Sequence, residues 1–423
     1  MIKLPYGHAY FEIDETGASI LKLDTADAQI RDGGEIVREA MAAPYGDVDL
    51  EKLAAEAKTC TLIISDHTRP VPSKDILPAM LEALRKGNPS LDITLLVATG
   101  CHRETTAEEL INKVGREIYE NEHIVVHDAQ DPDSNEEIGI LPSGAPLVID
   151  KLAVHTDLLV SEGFIEPHFF AGYSGGRKSI LPGVCDRVTV LGNHCGAFIA
   201  DEHTRTGILE GNPIHKDMVA AAQMAGLKYI VNVVIDDEHR TVAAFAGDPF
   251  KAHEAGCEYL SGRCRVAPIP ADIVITTNGG APLDQNIYQC VKSMTAAEAT
   301  AAEGGIIIVA AECADGIGGD SFYRTLRDCE SAEQLYEDCA KVPQEETIPD
   351  QWQSQILVRV LKDHEVIFVT RKELEPIITE MKMTYAASVD EAYEKAIAKI
   401  REAKGREPSV TIIPNGISVM VKA

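Results

Sequence analysis

No run of apolar residues in this chain approaches the 18 or more that a membrane-spanning helix needs, and the first residues, Met-Ile-Lys-Leu-Pro-Tyr-Gly-His, lack a long apolar stretch of the secretory type. A cytoplasmic protein is the expectation. Basic side chains are also scarce: 39 Lys and Arg face 67 Asp and Glu, a formal charge of −28. Such a surface repels phosphate backbones and anionic lipid, which argues against nucleic acid and membrane as partners. The ten cysteines, at 60, 101, 185, 195, 257, 264, 290, 313, 329 and 339, include no Cys-x-x-Cys pair and no small-domain disulfide spacing. They read as reduced core residues, although Cys101 and Cys195 adjoin histidines and could join a metal site. Repeats and low-complexity segments are missing too, and the acidic stretch from Asp128 to Glu137 reads as a solvated loop.

What is present is ordinary in bulk and unusual in places. With 423 residues, 45% of them hydrophobic and 25% charged, the chain is an ordered globular protein beyond the roughly 250–300 residues at which a single core stops growing. Short β-branched apolar runs (Thr61 to Ser65, Ile93 to Ala98, Ile124 to His127, Leu158 to Ser161, Ile230 to Ile235, Ile273 to Thr276, Ile306 to Ala310, Val366 to Thr370, Val410 to Ile413) read as buried strands. Helical patterns lie between several of them: Lys74 to Lys86, Thr106 to Ile118, Pro213 to Ala225, Asp284 to Glu303, Ser354 to Asp363 and Val389 to Ala403. The alternation predicts two α/β domains with mainly parallel sheets. The aperiodic stretch Ser261 to Pro270 sets the expected boundary, giving domains 1–265 and 266–423, with the last residues able to cross back.

In such sheets ligands gather beyond the carboxyl ends of the strands, and that is where the unusual segments fall. Glu166-Pro-His168-Phe-Phe-Ala-Gly-Tyr-Ser-Gly-Gly-Arg-Lys178 through Asn193-His194 packs two imidazoles, one amine and five glycines into 29 residues. Gly172, Gly175 and Gly176 permit positive φ and close approach to a ligand, while Lys178 is a candidate nucleophile or phosphate contact. A phosphate-loop reading fails because Arg177 stands where Gly-x-x-x-x-Gly-Lys-Ser requires glycine, leaving an anion-binding turn with Arg177 or Lys178 as the cation. Asp66-His67-Thr68-Arg69-Pro70 is a stiff turn in which Asp and Thr also suit a helix entry. Thr99-Gly-Cys-His102-Arg103 ends another strand, with a helix start at Thr105-Thr106. His8, His127, His215, His253 and His364 read as satisfied structural histidines. In the second domain Asn278-Gly-Gly-Ala-Pro-Leu-Asp284 leads into a helix with Asp284 as cap, on which Gln285, Gln289 and Lys292 share a face that could grip a carboxylate.

Taken in order, Asp-x-Thr-Arg-Pro, Ala-Thr-Gly-x-His-Arg, His-x-x-x-Gly-x-Ser-Gly-Gly-x-Lys, Asn-Gly-Gly-x-Pro-Leu-Asp-Gln-Asn and the Trp352 region resemble the nickel-pincer lactate racemase family. The resemblance implies a pyridinium-3,5-bisthiocarboxylic acid mononucleotide carrying nickel, joined covalently to Lys178, with His194 as the protein's metal ligand. It further implies His102 and His168 as paired acid and base. Asp66, Thr68, Gly175 and Gly176 would lie against the cofactor, Asp66 also orienting a neighbouring arginine or histidine. Arg69, Tyr288, Gln289, Lys292 and Trp352 would bind substrate, a small 2-hydroxy acid, in an interdomain cleft. Cofactor-building proteins would be needed for maturation.

The chemistry asks for such parts. Removing the α-hydrogen of a hydroxy carboxylate as a proton would set a second negative charge beside the first, whereas removing it as hydride leaves a neutral planar carbonyl that can be refilled on either face. Side chains supply no hydride sink, so a cofactor must. Two histidines, with unperturbed pKa values of about 6.5, suit exchange of the hydroxyl proton near neutrality. The rival expectations are a noncatalytic nucleotide- or metal-binding protein and a phosphate-loop-like nucleotide enzyme.

Overall fold

A computed structural model describes residues 1–22, 31–236 and 238–422. The chain forms two compact units: the described parts of 25–194 and 202–262 make one, and those of 1–24, 195–201 and 263–423 make the other.

The first unit is built on a six-stranded sheet. Its order is Thr241–Gly247, Leu227–Ile235, Leu158–Phe164, Thr59–Ser65, Asp92–Ala98, His123–Val126. All neighbours are parallel except the first pair, which is antiparallel. A parallel sheet is covered on both faces, so its strands read as continuous apolar runs rather than alternating ones. Leu62, Ile64, Leu95, Val97, Val160 and Val231 accordingly form one core with Ile76, Leu77, Met80 and Leu84. These last four come from the Ser73–Gly87 helix and fall at helical spacing on one face. Burying each such side chain stabilises by about 1.5–3 kcal/mol relative to exposure.

In the second unit the order is Thr384–Ala386, Glu365–Val369, Ala301–Ala310, Ala271–Thr277, Val410–Ile413, Ser19–Ile20, all parallel. Its core joins Ile273, Ile275, Ile308, Ile367 and Ile412 to Ala392, Ala396 and Ile400 of the Val389–Lys404 helix, and to Leu4 and Ile13 of an N-terminal hairpin. No helix among the described residues is long and apolar enough to cross a membrane.

Several local expectations change. A single cut at 265/266 misses the first residues, because Ser19–Ile20 supplies the edge strand of the second sheet. The chain's end does not cross back, since Met420–Val421 pairs with Arg265–Val266 inside the same unit. The 106–118 helix is two helices, Ala107–Val114 and Arg116–Asn121, broken at Gly115 with φ 88°. Asn135–Ile140, partly inside the expected acidic loop, pairs with Pro146–Asp150. The helix expected over 284–303 runs Ile287–Glu298 and is capped by Asn286, whose side chain accepts from Gln289 N–H. Asp284 is diverted: its buried carboxylate accepts from the N–H of Gly7 at 2.7 Å and of Glu312 at 3.0 Å. Two distant backbone donors outbid one local cap.

Candidate active site

In the first unit three strand ends meet. Asp66, at the exit of the Thr59–Ser65 strand, is buried; its Oδ1 accepts from Thr68 Oγ1 at 2.7 Å and Thr68 N–H at 3.2 Å. Its Oδ2 lies 2.7 Å from His102 Nδ1. Because a carboxylate only accepts, Nδ1 carries the proton and the neutral ring's basic nitrogen is Nε2. Burial alone would raise the Asp66 carboxyl, but the His102 hydrogen bond and charge, with Arg69 and Thr68, outweigh it and hold it below the usual carboxylate range. His102 itself is 42% exposed, so a fixed ring presents its basic edge outward. That is the arrangement a general acid or base requires.

The His102 loop is tied to the lysine loop through Gly100 N–H, which donates to Gly183 carbonyl at 2.9 Å. In that second loop Lys178 sits in the tight turn Gly176–Ser179, and Ser179 Oγ anchors the turn to Ser161 Oγ at 3.0 Å, on the central strand. One ring organises the rest. Phe170 lies 4.5 Å from the His168 ring and 5.1 Å from the His194 ring, both edge-on, and 5.7 Å from Lys178 Nζ. His168 Nδ1 accepts from Ala171 N–H at 3.2 Å, which directs its Nε2 to the N–H form when neutral. His194 follows the Arg187–Asn193 helix and is buried. Burial, then the charge of Lys178, push its pKa down to about 3. It is therefore a neutral imidazole at physiological pH, the form that donates a lone pair to a metal.

The glycines adopt the expected backbone, whereas Arg177 behaves differently from expectation. Gly175 and Gly176 do adopt positive φ, 76° and 53°. They permit close approach of protein: a Cβ at 175 would stand 2.6 Å from Asn232 Oδ1, and one at 176 would stand 2.7 Å from the His253 ring. Arg177 does not face an anion. It is buried, and its guanidinium donates to the carbonyls of Tyr173 and Ala171, each at 2.7 Å, and of Gly175 at 3.2 Å. Its Nε donates to His215 Nδ1 at 3.0 Å. This clamp closes the loop between His168 and Lys178. His215 and His253 are structural, as expected, and both lie against that guanidinium.

The second unit holds the other expected residues. Gln289 and Lys292 are half-buried on the Ile287–Glu298 helix at a spacing that makes them neighbours. Gln285 precedes the helix and leaves their stripe. Tyr288 OH donates to Asp350 Oδ1 at 3.2 Å, and its ring lies 5.3 Å edge-on from Phe322. Asp350 directly precedes the Gln351–Asp363 helix, on which Trp352 is half-buried and Gln353 donates to Tyr288 carbonyl. Tyr288 and Trp352 thus belong to two helix starts bonded to each other.

A family model described as the lactate racemase N-terminal domain matches residues 6–207, and one described as the lactate racemase C-terminal domain matches residues 266–421. The lactate racemase of Thermoanaerobacterium thermosaccharolyticum is 48% identical over 425 residues, covering 100% of this chain and 99% of that protein. The chain belongs to the lactate racemase family. A second relative, the lactate racemase of Lactiplantibacillus plantarum, is 49% identical over 388 residues, 92% of this chain and 91% of that one. The structure of the Thermoanaerobacterium lactate racemase apoprotein superposes with a TM-score of 0.95 at 47% identity over the whole of both chains. A Thermotoga maritima protein of 18% identity, TM-score 0.64, covering 92% of this chain and 98% of its own, shares the fold alone.

This lactate racemase family member is an isomerase of the racemase type. Among its described residues, no three His, Cys, Asp or Glu side chains gather into a metal-holding group. The thiols of Cys101 and Cys195 therefore complete no such site. Sequence reasoning misses Phe170 and misplaces Arg177. Phe170 was visible as half of a Phe-Phe pair in a chain with 5% aromatics, whereas nothing local distinguishes Arg177, a buried clamp, from an anion contact.

Proposed function

We propose that this racemase interconverts the enantiomers of a 2-hydroxy carboxylic acid, lactate being the first candidate, with a nickel-pincer nucleotide held on Lys178. The donor set fits such a group. A metal here would need most of its ligands from outside the protein, and one neutral buried imidazole, His194, shares Phe170 with the amine that would carry the cofactor. When bound, that cofactor supplies the reversible hydride acceptor that side chains lack.

The remaining work belongs to the chain. His102, oriented by Asp66, takes or returns the hydroxyl proton at Nε2 for one enantiomer, and His168 does so for the other. Arg69, Gln289 and Lys292 bind the carboxylate, a requirement in a protein whose overall charge repels anions. Tyr288 and Trp352 shape the space for the substrate's third substituent. Maturation by cofactor-building proteins is part of the proposal.

The observation that carries it is the meeting of His168, Lys178 and His194 around Phe170. Protein matured with the cofactor pathway should show a covalent adduct on Lys178 by intact mass spectrometry and should racemise D- or L-lactate in a chiral assay. Lys178→Ala should lose both. An unmodified but fully active wild-type protein would refute the tether, and activity on a larger hydroxy acid alone would move the substrate while keeping the chemistry.

A further inference from the structure

Glu162 interrupts the apolar run of the central strand Leu158–Phe164. It shares a face with Val160 and Phe164, both part of the first unit's core, and is 2% exposed. An apolar side chain would pack that face without the cost of desolvating a carboxylate. What Glu162 holds accounts for its place. Its Oε1 accepts from Ser73 Oγ at 2.7 Å and from Ser65 N–H at 3.3 Å. Ser65 is the last residue of its strand and Ser73 the first of its helix, so one oxygen ties both ends of the segment that carries Asp66, Thr68 and Arg69.

Among the described residues Glu162 Oε2 is buried without a hydrogen-bond partner, a state that calls for an opposite charge nearby. Lys113, on the Ala107–Val114 helix, supplies it. Burial pushes the Glu162 carboxyl up and the Lys113 ammonium down, and the charge of each opposes the shift of the other. Lys113 Nζ donates to the carbonyl of Arg69 at 3.1 Å. The segment is therefore gripped at both ends by the carboxylate and in the middle by the ammonium. Asp66 and Thr68 close on each other at 2.7 Å, and Asp66 on His102 at 2.7 Å, so those three are fixed among themselves. The Arg69 backbone carbonyl is fixed by Lys113.

We propose that Glu162 and Lys113 are a positioning pair. Glu162 keeps a buried ammonium in place, and the ammonium sets where the Arg69 backbone, and so its guanidinium, stands, without either side chain meeting the substrate. The inference rests on the assignment of Arg69 to the substrate carboxylate under the function proposed above.

The test compares full-length wild type, Glu162→Gln, Lys113→Met and the double variant by lactate kinetics, melting temperature and amide hydrogen exchange. Glu162→Gln keeps an acceptor for Ser65 and Ser73 but strips the ammonium of its counter-charge. Its melting temperature should fall by about 6 °C or more, and KM for lactate should rise about tenfold or more. The double variant removes both charges, so its melting temperature should return to within about 2 °C of wild type. KM should nevertheless stay raised, with kcat within about threefold of wild type. Recovery of KM together with stability would mean a merely structural pair and would overturn the proposal. So would a raised KM in Lys113→Met beside a wild-type KM in Glu162→Gln, since Lys113 would then meet the ligand itself. Exchange at the Arg69 and Val71 amides should be about tenfold faster or more in the double variant than in wild type, and unchanged exchange would refute the pair. If the matured wild type racemises no 2-hydroxy acid, the proposed function fails and the exchange result alone decides this inference.

Discussion

His102 with Asp66 and His127 with Asp150 are the same pair twice, in the same unit. Each imidazole meets a buried carboxylate through Nδ1, at 2.7 and 2.9 Å. The difference lies at the other nitrogen. His127 Nε2 already faces the Cys185 carbonyl at 3.1 Å and the residue is 3% exposed, whereas the His102 side chain is 42% exposed and meets both Asp66 and Thr68 through Nδ1. A histidine–carboxylate pair is therefore a positioning device. It becomes catalytic equipment only where the second nitrogen is left for a substrate.

Substitution of the two histidines should split activity from stability. His102→Ala should lower racemase kcat by about 10²–10⁴-fold with little change in melting temperature, the range for loss of a general acid–base. His127→Ala should instead cost about 3–5 kcal/mol in urea unfolding, because the Asp150 carboxylate loses its buried partner. Enzyme that remains folded should keep its turnover. A stable, active His127→Ala would break the contrast.

Smaller changes sharpen it. Asp66→Asn keeps an acceptor for His102 Nδ1–H and removes the charge, so kcat should fall by about 10- to 100-fold and the basic limb of its pH profile should move. Asp150→Asn should leave that profile alone. The smallest expected effect is on acid tolerance. His215 is pushed down to about 3 by burial and then by Arg177, so the unfolded chain binds its proton first, near the ordinary pKa of about 6.5. Stability present above that value should decline as pH falls from 6.5 towards 3. Urea midpoints taken across that window should fall less steeply in His215→Gln; an unchanged slope would show that the Arg177 clamp does not depend on a neutral histidine.

Much of this was legible in the residues. Buried parallel strands announce themselves because both faces are apolar, so nine runs located nine strands, and the loops that carry Asp66 and His102 followed from where the runs end. The Asp66 turn and the Thr106 cap were legible because each is closed by neighbours within three residues. Asp284 was not: its partners, Gly7 and Glu312, lie 277 and 28 positions away. The inward turn of Arg177, one of two candidate anion contacts with Lys178, was hidden for the same reason, since its histidine partners are 38 and 76 residues distant.

By itself, then, the sequence determined the α/β class, the order of the motifs and the residue types from which a hydroxy-acid racemase is made, because periodicity and short-range turn chemistry are local properties. Only the tertiary structure decided which histidine presents its second nitrogen outward, which glycines are held tight against protein, and which arginine turns inward. Those outcomes depend on burial and on hydrogen-bond partners brought in from far along the chain, and no window of sequence contains them.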